Sequence, residues 1–344
     1  MVALGSAVLF GMSTPLAKIL VGSVPPLVLA GLLYAGSGLG LIFILAGRRM
    51  WRPHGYSISL PQRGEWRWLA GSIFFGGIAG PVALMYGLVT SAASTASLLL
   101  NLEAVFTALL AWFLFRENFD RRILLGMLAI VAGGVLLVWT PGTQGQPSFG
   151  LVLIAIAGLC WAIDNNLTRK VSASDATLIA GLKGLVAGAV NLSLAWLMGQ
   201  ALPLPSVLGL AMAVGFLGYG VSLVLFVLAL RHLGTARAGA YFSVAPFFGA
   251  ALAVLIQGDA VTFQLIAAGL LMAAGVWLHL TEHHGHLHTH EQQEHTHVHS
   301  HDEHHGHSHA SAGDTPEPHT HPHTHEHLVH AHAHYPDVHH RHPH

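Results

Sequence analysis

Twenty-eight histidines occur in the 344 residues of this chain, and 25 of them fall in the last 62, from His283 onward. Most alternate with other residues, as in His286-Leu287-His288-Thr289-His290 and His319-Thr320-His321-Pro322-His323-Thr324-His325. Neutral imidazole, the dominant form near pH 7, binds borderline divalent ions such as Ni, Zn, Co and Cu. The candidate ligands are His283, His284, His286, His288, His290, His295, His297, His299, His301, His304, His305, His307, His309, His319, His321, His323, His325 and His327. No fixed set of four is marked out, so the expectation is a segment that wraps several ions in interchangeable ways. The plainer alternative is a solvated low-complexity tail whose metal affinity is incidental.

A second set of chemically capable residues lies where the surrounding sequence is apolar. Glu103, Asp164 and Lys183 each interrupt a hydrophobic run. An ionisable group in hydrocarbon costs about 2.5–3.5 kcal/mol on insertion scales, so each calls for a partner or a water-filled cavity. Glu103 falls near the middle of its run, where a carboxylate suits a substrate or proton site; a hydrogen bond to a neighbouring helix is the alternative. Asp164 and Lys183 fall at comparable depth in consecutive runs and are expected to pair. That pair either stabilises the fold or belongs to a pathway; Lys183 reaching out to the interface is a further option. Asn101 and Asn165 add uncharged polar groups, and Ser94, Ser97 and Asn101 share one helical face. Trp161, Tyr86, Tyr219 and Tyr241 either line a cavity or pack against it.

The elements that must hold these residues are membrane spans. Charged residues are 9% of the chain, against about 25% in a soluble domain. Ten apolar segments, near 2–20, 25–47, 66–90, 92–115, 122–140, 149–168, 175–197, 206–230, 235–256 and 262–280, are long enough to cross about 30 Å of hydrocarbon as helices. The first has no basic leader region or convincing cleavage site and reads as a retained helix. Gly36 and Gly40, Gly76 and Gly80, and Gly184 and Gly188 are spaced for close helix approach. Cys160 is the sole cysteine, which excludes an intramolecular disulfide. Basic residues stand singly between apolar runs, unlike a nucleic-acid surface, so no nucleic-acid partner is expected. An enzyme is also disfavoured: His290-Glu291-Gln292-Gln293-Glu294-His295 is one residue too long for a zinc-protease helix.

Lys and Arg sort by loop. Arg48, Arg49, Arg52, Arg63 and Arg67 surround the second loop, Arg116, Arg121 and Arg122 the fourth, Arg169 and Lys170 the sixth, and Arg231 and Arg237 the eighth. The positive-inside rule then puts both termini, and the histidine tail, in the cytoplasm, with the body in the cytoplasmic (inner) membrane. Lys18 is the one exception.

The chain also repeats itself. Phe10-Gly11-Met12-Ser13-Thr14-Pro15-Leu16-Ala17-Lys18 aligns with Trp161-Ala162-Ile163-Asp164-Asn165-Asn166-Leu167-Thr168-Arg169 at an offset of 151. Leu102-Glu103-Ala104-Val105-Phe106 aligns with Val244-Ala245-Pro246-Phe247-Phe248, and Gly133 with Gly275, at an offset of 142. The longer loop after the second span accounts for the difference. Each half holds five spans, an odd number, so the second copy must insert upside down, an arrangement common among secondary transporters. The expected organisation is one repeat over 1–140, a second over 149–280, and a disordered histidine-rich cytoplasmic tail over 283–344.

With these residues in view, the chain resembles a ten-helix member of the drug/metabolite transporter superfamily with two EamA-type halves. The stretch Ala229-Leu230-Arg231-His232-Leu233-Gly234-Thr235-Ala236 is similar to the family's junction before its ninth helix. Glu103-Ala104 keeps the acid, and Ala245-Pro246 the proline, of a Glu-Pro pair common in the fourth and ninth helices. Glu117 and Asp259 resemble the acids that close those helices. Leu33 stands where an arginine is common in the first half, with Lys183 in the second. The resemblance implies an all-α secondary transporter, often an exporter, of a small solute, with no cofactor required. Two alternatives remain: an exporter of divalent metal (Ni, Co or Zn), and a membrane-anchored metal-binding or sensing protein. A homodimer is left open.

Overall fold

The computed structural model describes residues 2–51, 60–115, 121–139, 148–171, 174–226, 228–229 and 241–281, and in the tail 285–290, 293–299, 319–325 and 328–333. Among the described residues the body shows ten helical elements: α1 (Val2–Val21), α2 (Pro26–Trp51), α3 (Trp66–Thr90), α4 in two pieces (Ala93–Leu99 and Leu102–Phe115), α5 (Arg121–Val138), α6 (Phe149–Thr168), α7 (Ala176–Leu197), α8 (Pro205–Phe226), α9 (described over Ala245–Gln257) and α10 (Phe263–Leu280). Nine stretches among the described residues are long and apolar enough to cross a membrane. The ninth expected span, 235–256, is described only from residue 241, and the Ala229–Ala236 junction and Glu117 lie almost wholly or wholly outside the described residues.

Helix is forced by the solvent. In hydrocarbon a backbone must satisfy its own hydrogen bonds, and a helix does so within one segment. The ends are marked chemically. Asp175 caps α7 by accepting from the N–H groups of Thr177 and Leu178, and Thr262 caps α10 by accepting from that of Leu265. Gly258, with φ of 68°, closes α9 in a left-handed conformation that a side chain would disfavour. Lys18, the exception to the charge rule, donates to the carbonyls of Leu88 and Val89 at the end of α3. There it complements the negative end of the helix dipole.

Packing repeats under exchange of the halves. α2 lies against α7 and α5 against α10; α1 packs on α9 as α6 packs on α4; α3 packs on α6 as α8 packs on α1. The α2–α7 crossing shows why glycine is needed: a Cβ on Gly184 would lie 2.5 Å from the Gly38 nitrogen, and one on Gly188 2.6 Å from the Ala35 nitrogen. Small residues let the backbones meet where packing rather than water drives association. The main core gathers Leu29, Leu33, Leu84, Met85, Leu88, Leu99 and Ile154, while large apolar side chains such as Phe43, Leu255 and Phe263 cover the outside.

Two irregularities also obey the exchange, and neither was expected from the sequence. α4 breaks at residues 100–101 and the ninth helix turns at 243–244, within one residue of the repeat offset. α3 contains a π turn over Ile73–Ala79 and α8 one over Phe216–Val221. The Gly80 N–H reaches back five residues to Phe75, and the Ser222 N–H five residues to Leu217. Those positions differ by 142, the same offset that relates the sequences.

The tail from His283 forms a separate unit. Among its described residues β1 (Gly285–His290) pairs antiparallel with β4 (Leu328–Ala333), and β2 (Gln293–His299) with β3 (His319–His325). Alternating histidine supplies the period of two that a strand requires. The other tail histidines, among them His283, His284, His301, His304, His305, His307, His309 and His327, lie outside the described residues.

Candidate functional site

Asp164, in the last turn of α6, is the centre of a closed network. Lys183 of α7 places its Nζ 2.6 Å from Oδ1 and 2.7 Å from Oδ2 of this carboxylate. Ser72 of α3 donates to Oδ1 at 2.5 Å, and Thr168, one turn along α6, donates to it at 2.8 Å. Lys183 also donates to the Thr168 hydroxyl at 3.3 Å, so its three protons have three acceptors. Both charged side chains are 12% exposed. A buried pair of this kind is tolerable because all three ammonium protons and both carboxylate oxygens find partners.

The π turn of α3 sits directly beside it. A Cβ on Gly76 would collide with the Asp164 carboxylate, so only glycine fits. Two carbonyls lose their helical donors here: the Gly80 N–H turns to Phe75 and so misses Gly76, and Pro81 has no N–H to offer Gly77. Side chains take over: Tyr34 Oη donates to the Gly76 oxygen at 2.5 Å, Trp161 Nε1 donates to it at 3.1 Å, and Asn191 Nδ2 donates to Gly77 at 3.0 Å. Trp161 meets Phe10 edge-on at 6.2 Å, and Phe10 in turn touches Tyr219, which stacks with Tyr34 at 5.4 Å. Trp161, Tyr34 and Tyr219 are therefore packed and hydrogen-bonded groups.

Glu103 opens the second piece of α4, about 16 Å along the helix from its start at 1.5 Å per residue. A carboxylate is favoured there by the dipole of the half-helix it begins. Its Oε1 accepts from Asn165 Nδ2 at 2.8 Å, and α6 comes close because Gly158 faces the Glu103 backbone. Glu103 is half-buried and Asn165 exposed. One amide leaves most of the carboxylate's acceptor capacity unused. One turn on, the buried hydroxyl of Thr107 has no partner among the described residues, while Asn166 donates to the Thr107 carbonyl.

The structure thus brings together Asp164 with Lys183, and Glu103 with Asn165, on consecutive positions of α6. Asn101 is placed elsewhere: it occupies the break in α4, buried, with Nδ2 directed to the Leu98 carbonyl and to Met272 of α10. Tyr241 is 43% exposed ahead of α9. Ser72, Thr168, Tyr34 and Asn191 were not singled out from the sequence; Pro81 four and five residues after two glycines was the available signal. Asp259 accepts from the Ser94 N–H and so caps α4. Among the described residues no three His, Cys, Asp or Glu side chains gather around a point that a metal ion could occupy.

The profile of the EamA-like transporter family matches residues 1–139 and again 148–281. The chain belongs to that family. Its members' relatives here are transporters, and this chain is accordingly a multi-pass membrane protein that transports a small solute. It is 28% identical over 291 residues to an uncharacterized transporter of Methanothermobacter thermautotrophicus, covering 79% of this chain and 83% of that one. Similarity to a probable amino-acid metabolite efflux pump of Salmonella typhimurium is 27% over 299 residues, 79% of this chain and 91% of the relative. The threonine/homoserine exporter RhtA of Escherichia coli is 28% identical over 178 residues, 51% of this chain and 60% of RhtA. A solved crystal structure shares the fold at a TM-score of 0.60, with 21% identity over 80% of this chain and 94% of that one.

Proposed function

We propose that this chain exports a small organic solute bearing an ammonium group, of the amino-acid kind, across the cytoplasmic membrane. Glu103 carries the reading. It is a carboxylate deep in the membrane body, bonded on one oxygen to an exposed amide and beginning a half-helix. Because Asp164 and Lys183 neutralise one another, Glu103 is, among the described residues, the acid of that region with no cation bonded to it, and in this reading it carries the charge. An ammonium group, or a proton exchanged for it, answers that charge. The names of two relatives, an amino-acid metabolite efflux pump and a threonine/homoserine exporter, support the solute class and the direction.

Both termini lie in the cytoplasm in this reading, and the histidine tail binds Ni, Zn, Co or Cu there as an accessory to transport. A transported metal fits less well, since the body offers Glu103, Asp164 and Cys160 without gathering them around one point.

Efflux of a panel of labelled amino acids and of the four metals from overexpressing cells tests this. Glu103→Gln is expected to cut solute efflux roughly tenfold or more at unchanged protein level, the size of a lost coupling interaction. Full efflux by that variant, or efflux of metals alone, would overturn the proposal.

A further inference from the structure

We infer that the Asp164–Lys183 cluster is a gate, closing the pathway at the end of the molecule where α3 begins and α6 ends. Because only one repeat carries it, it also sets which of two access states the transporter rests in. The inference rests on the pathway reading of Glu103.

Saturation comes first. Lys183 has no proton and Asp164 Oδ1 no lone pair left for a solute while Ser72, Thr168 and the two ions hold one another. Separating α3 from α6 and α7 at this end requires the network to come apart. It also joins the repeats, since Ser72 belongs to the first and Asp164, Thr168 and Lys183 to the second. An apolar seal lies one turn farther toward the same end: Leu69, Val171 and Ile179 are buried together, with Trp68, Ile73 and Leu182 packed on them. Gate and site share a helix at adjacent positions, because Asn165 holds Glu103 while Asp164 holds Lys183. A solute that takes Glu103 from Asn165 acts on α6 at the residue beside the lock.

The mirror positions are empty of charge. Under the repeat offsets, Asp164 corresponds to Ser13, Thr168 to Ala17, Ser72 to Val214 and Lys183 to Leu32, beside Leu33. Ser13 donates within its own helix to Phe10, and a Cβ on Gly218, the counterpart of Gly76, would meet Ser13 Cβ at 2.6 Å, the Leu9 carbonyl at 3.4 Å and Ser13 Oγ at 3.5 Å, none of them charged. In a transporter of inverted repeats the two access states exchange the conformations of the halves. A lock in one half stabilises the state in which its end is shut and does nothing for the other.

The test uses the full chain in sealed vesicles of known sidedness, with Cys160→Ser to remove the native thiol and Thr107→Cys, one turn along from Glu103, as reporter. An impermeant maleimide is applied from each side. Adding Asp164→Asn with Lys183→Met removes both charges together and leaves none uncompensated. Labelling from the α3–α6–α7 end is expected to rise roughly fivefold or more, and labelling from the opposite end to fall. Gly76→Ala, which drives a methyl into Asp164 without changing charge, is expected to do the same; Gly218→Ala is not. An unchanged ratio in both the double variant and Gly76→Ala overturns the gate, and an equal rise in Gly218→Ala overturns its one-sidedness. Loss of efflux in Glu103→Gln alongside an unchanged ratio retains the pathway and removes the gate alone.

Discussion

Asp164 and Lys183 differ in kind from Glu103, although all three are ionisable groups in apolar sequence. The pair is saturated and the single carboxylate is not, so removing them has opposite costs. Asp164→Asn alone leaves a buried ammonium unpaired, and Lys183→Met alone leaves a buried carboxylate; each is expected to lose about 3–5 kcal/mol. The double variant removes both charges and should recover most of that, measured as Tm in detergent. Equal losses that simply add would show that the two residues do not act on each other. The Gly76 carbonyl gives a finer test. Tyr34 and Trp161 both donate to it, so Tyr34→Phe or Trp161→Phe should each cost about 1 kcal/mol beyond any repacking. Together they leave a buried oxygen with no donor, and the combined loss should exceed the sum of the two.

Spans were legible in the sequence because length and hydropathy decide them, and the repeat was legible because its offsets are constant. The ion pair was legible too, since two opposite charges at one depth in consecutive spans have few alternatives. What the sequence hid were departures within helices. A π turn adds one residue to a turn without altering hydropathy, and the break at Asn101 lies in a run that reads as continuous helix. Both require knowing which carbonyls lose their donors, and the partners that replace them, Tyr34 and Asn191, come from other helices. Glycine spacing predicted close approach but not which glycines meet backbone. Gly184 does, with Gly38 against it, whereas a Cβ on Gly209 would meet nothing within 4 Å. Gly184→Val is therefore expected to abolish a monodisperse folded protein, while Gly209→Ala should be neutral or stabilise by up to about 1 kcal/mol. Size-exclusion profiles and Tm of the two variants, compared side by side, check this.

At the scale of the whole molecule, two questions are coupled: which way the body faces, and what the tail does there. In the charge-derived orientation, Leu60→Cys and Leu202→Cys in a Cys160→Ser background stand on opposite sides of the membrane; both native side chains are largely exposed, at 67% and 62%. An impermeant thiol reagent added to intact cells should label only Leu202→Cys, and the reverse pattern would put the tail outside. The tail forms a unit separate from residues 1–282. Its two ladders have two strands each, and an isolated two-stranded ladder is marginal in water. Truncation after Glu282 is thus expected to leave a body that inserts, has an unchanged Tm and still exports its solute. Metal is expected to behave differently. Imidazole must be neutral to bind, and its ordinary pKa is about 6.5, so the full chain should bind several Ni or Zn ions near pH 7.5 and progressively lose them below about pH 6. The sign is that of a ligand displaced by its own proton: lowering the pH adds protons to histidine and releases metal. Calorimetry on the full chain and on the truncated chain at both pH values checks it. Equal metal uptake by the two chains would move the binding site into the membrane body, and a truncated chain that inserts but exports nothing would make the tail part of the transport path.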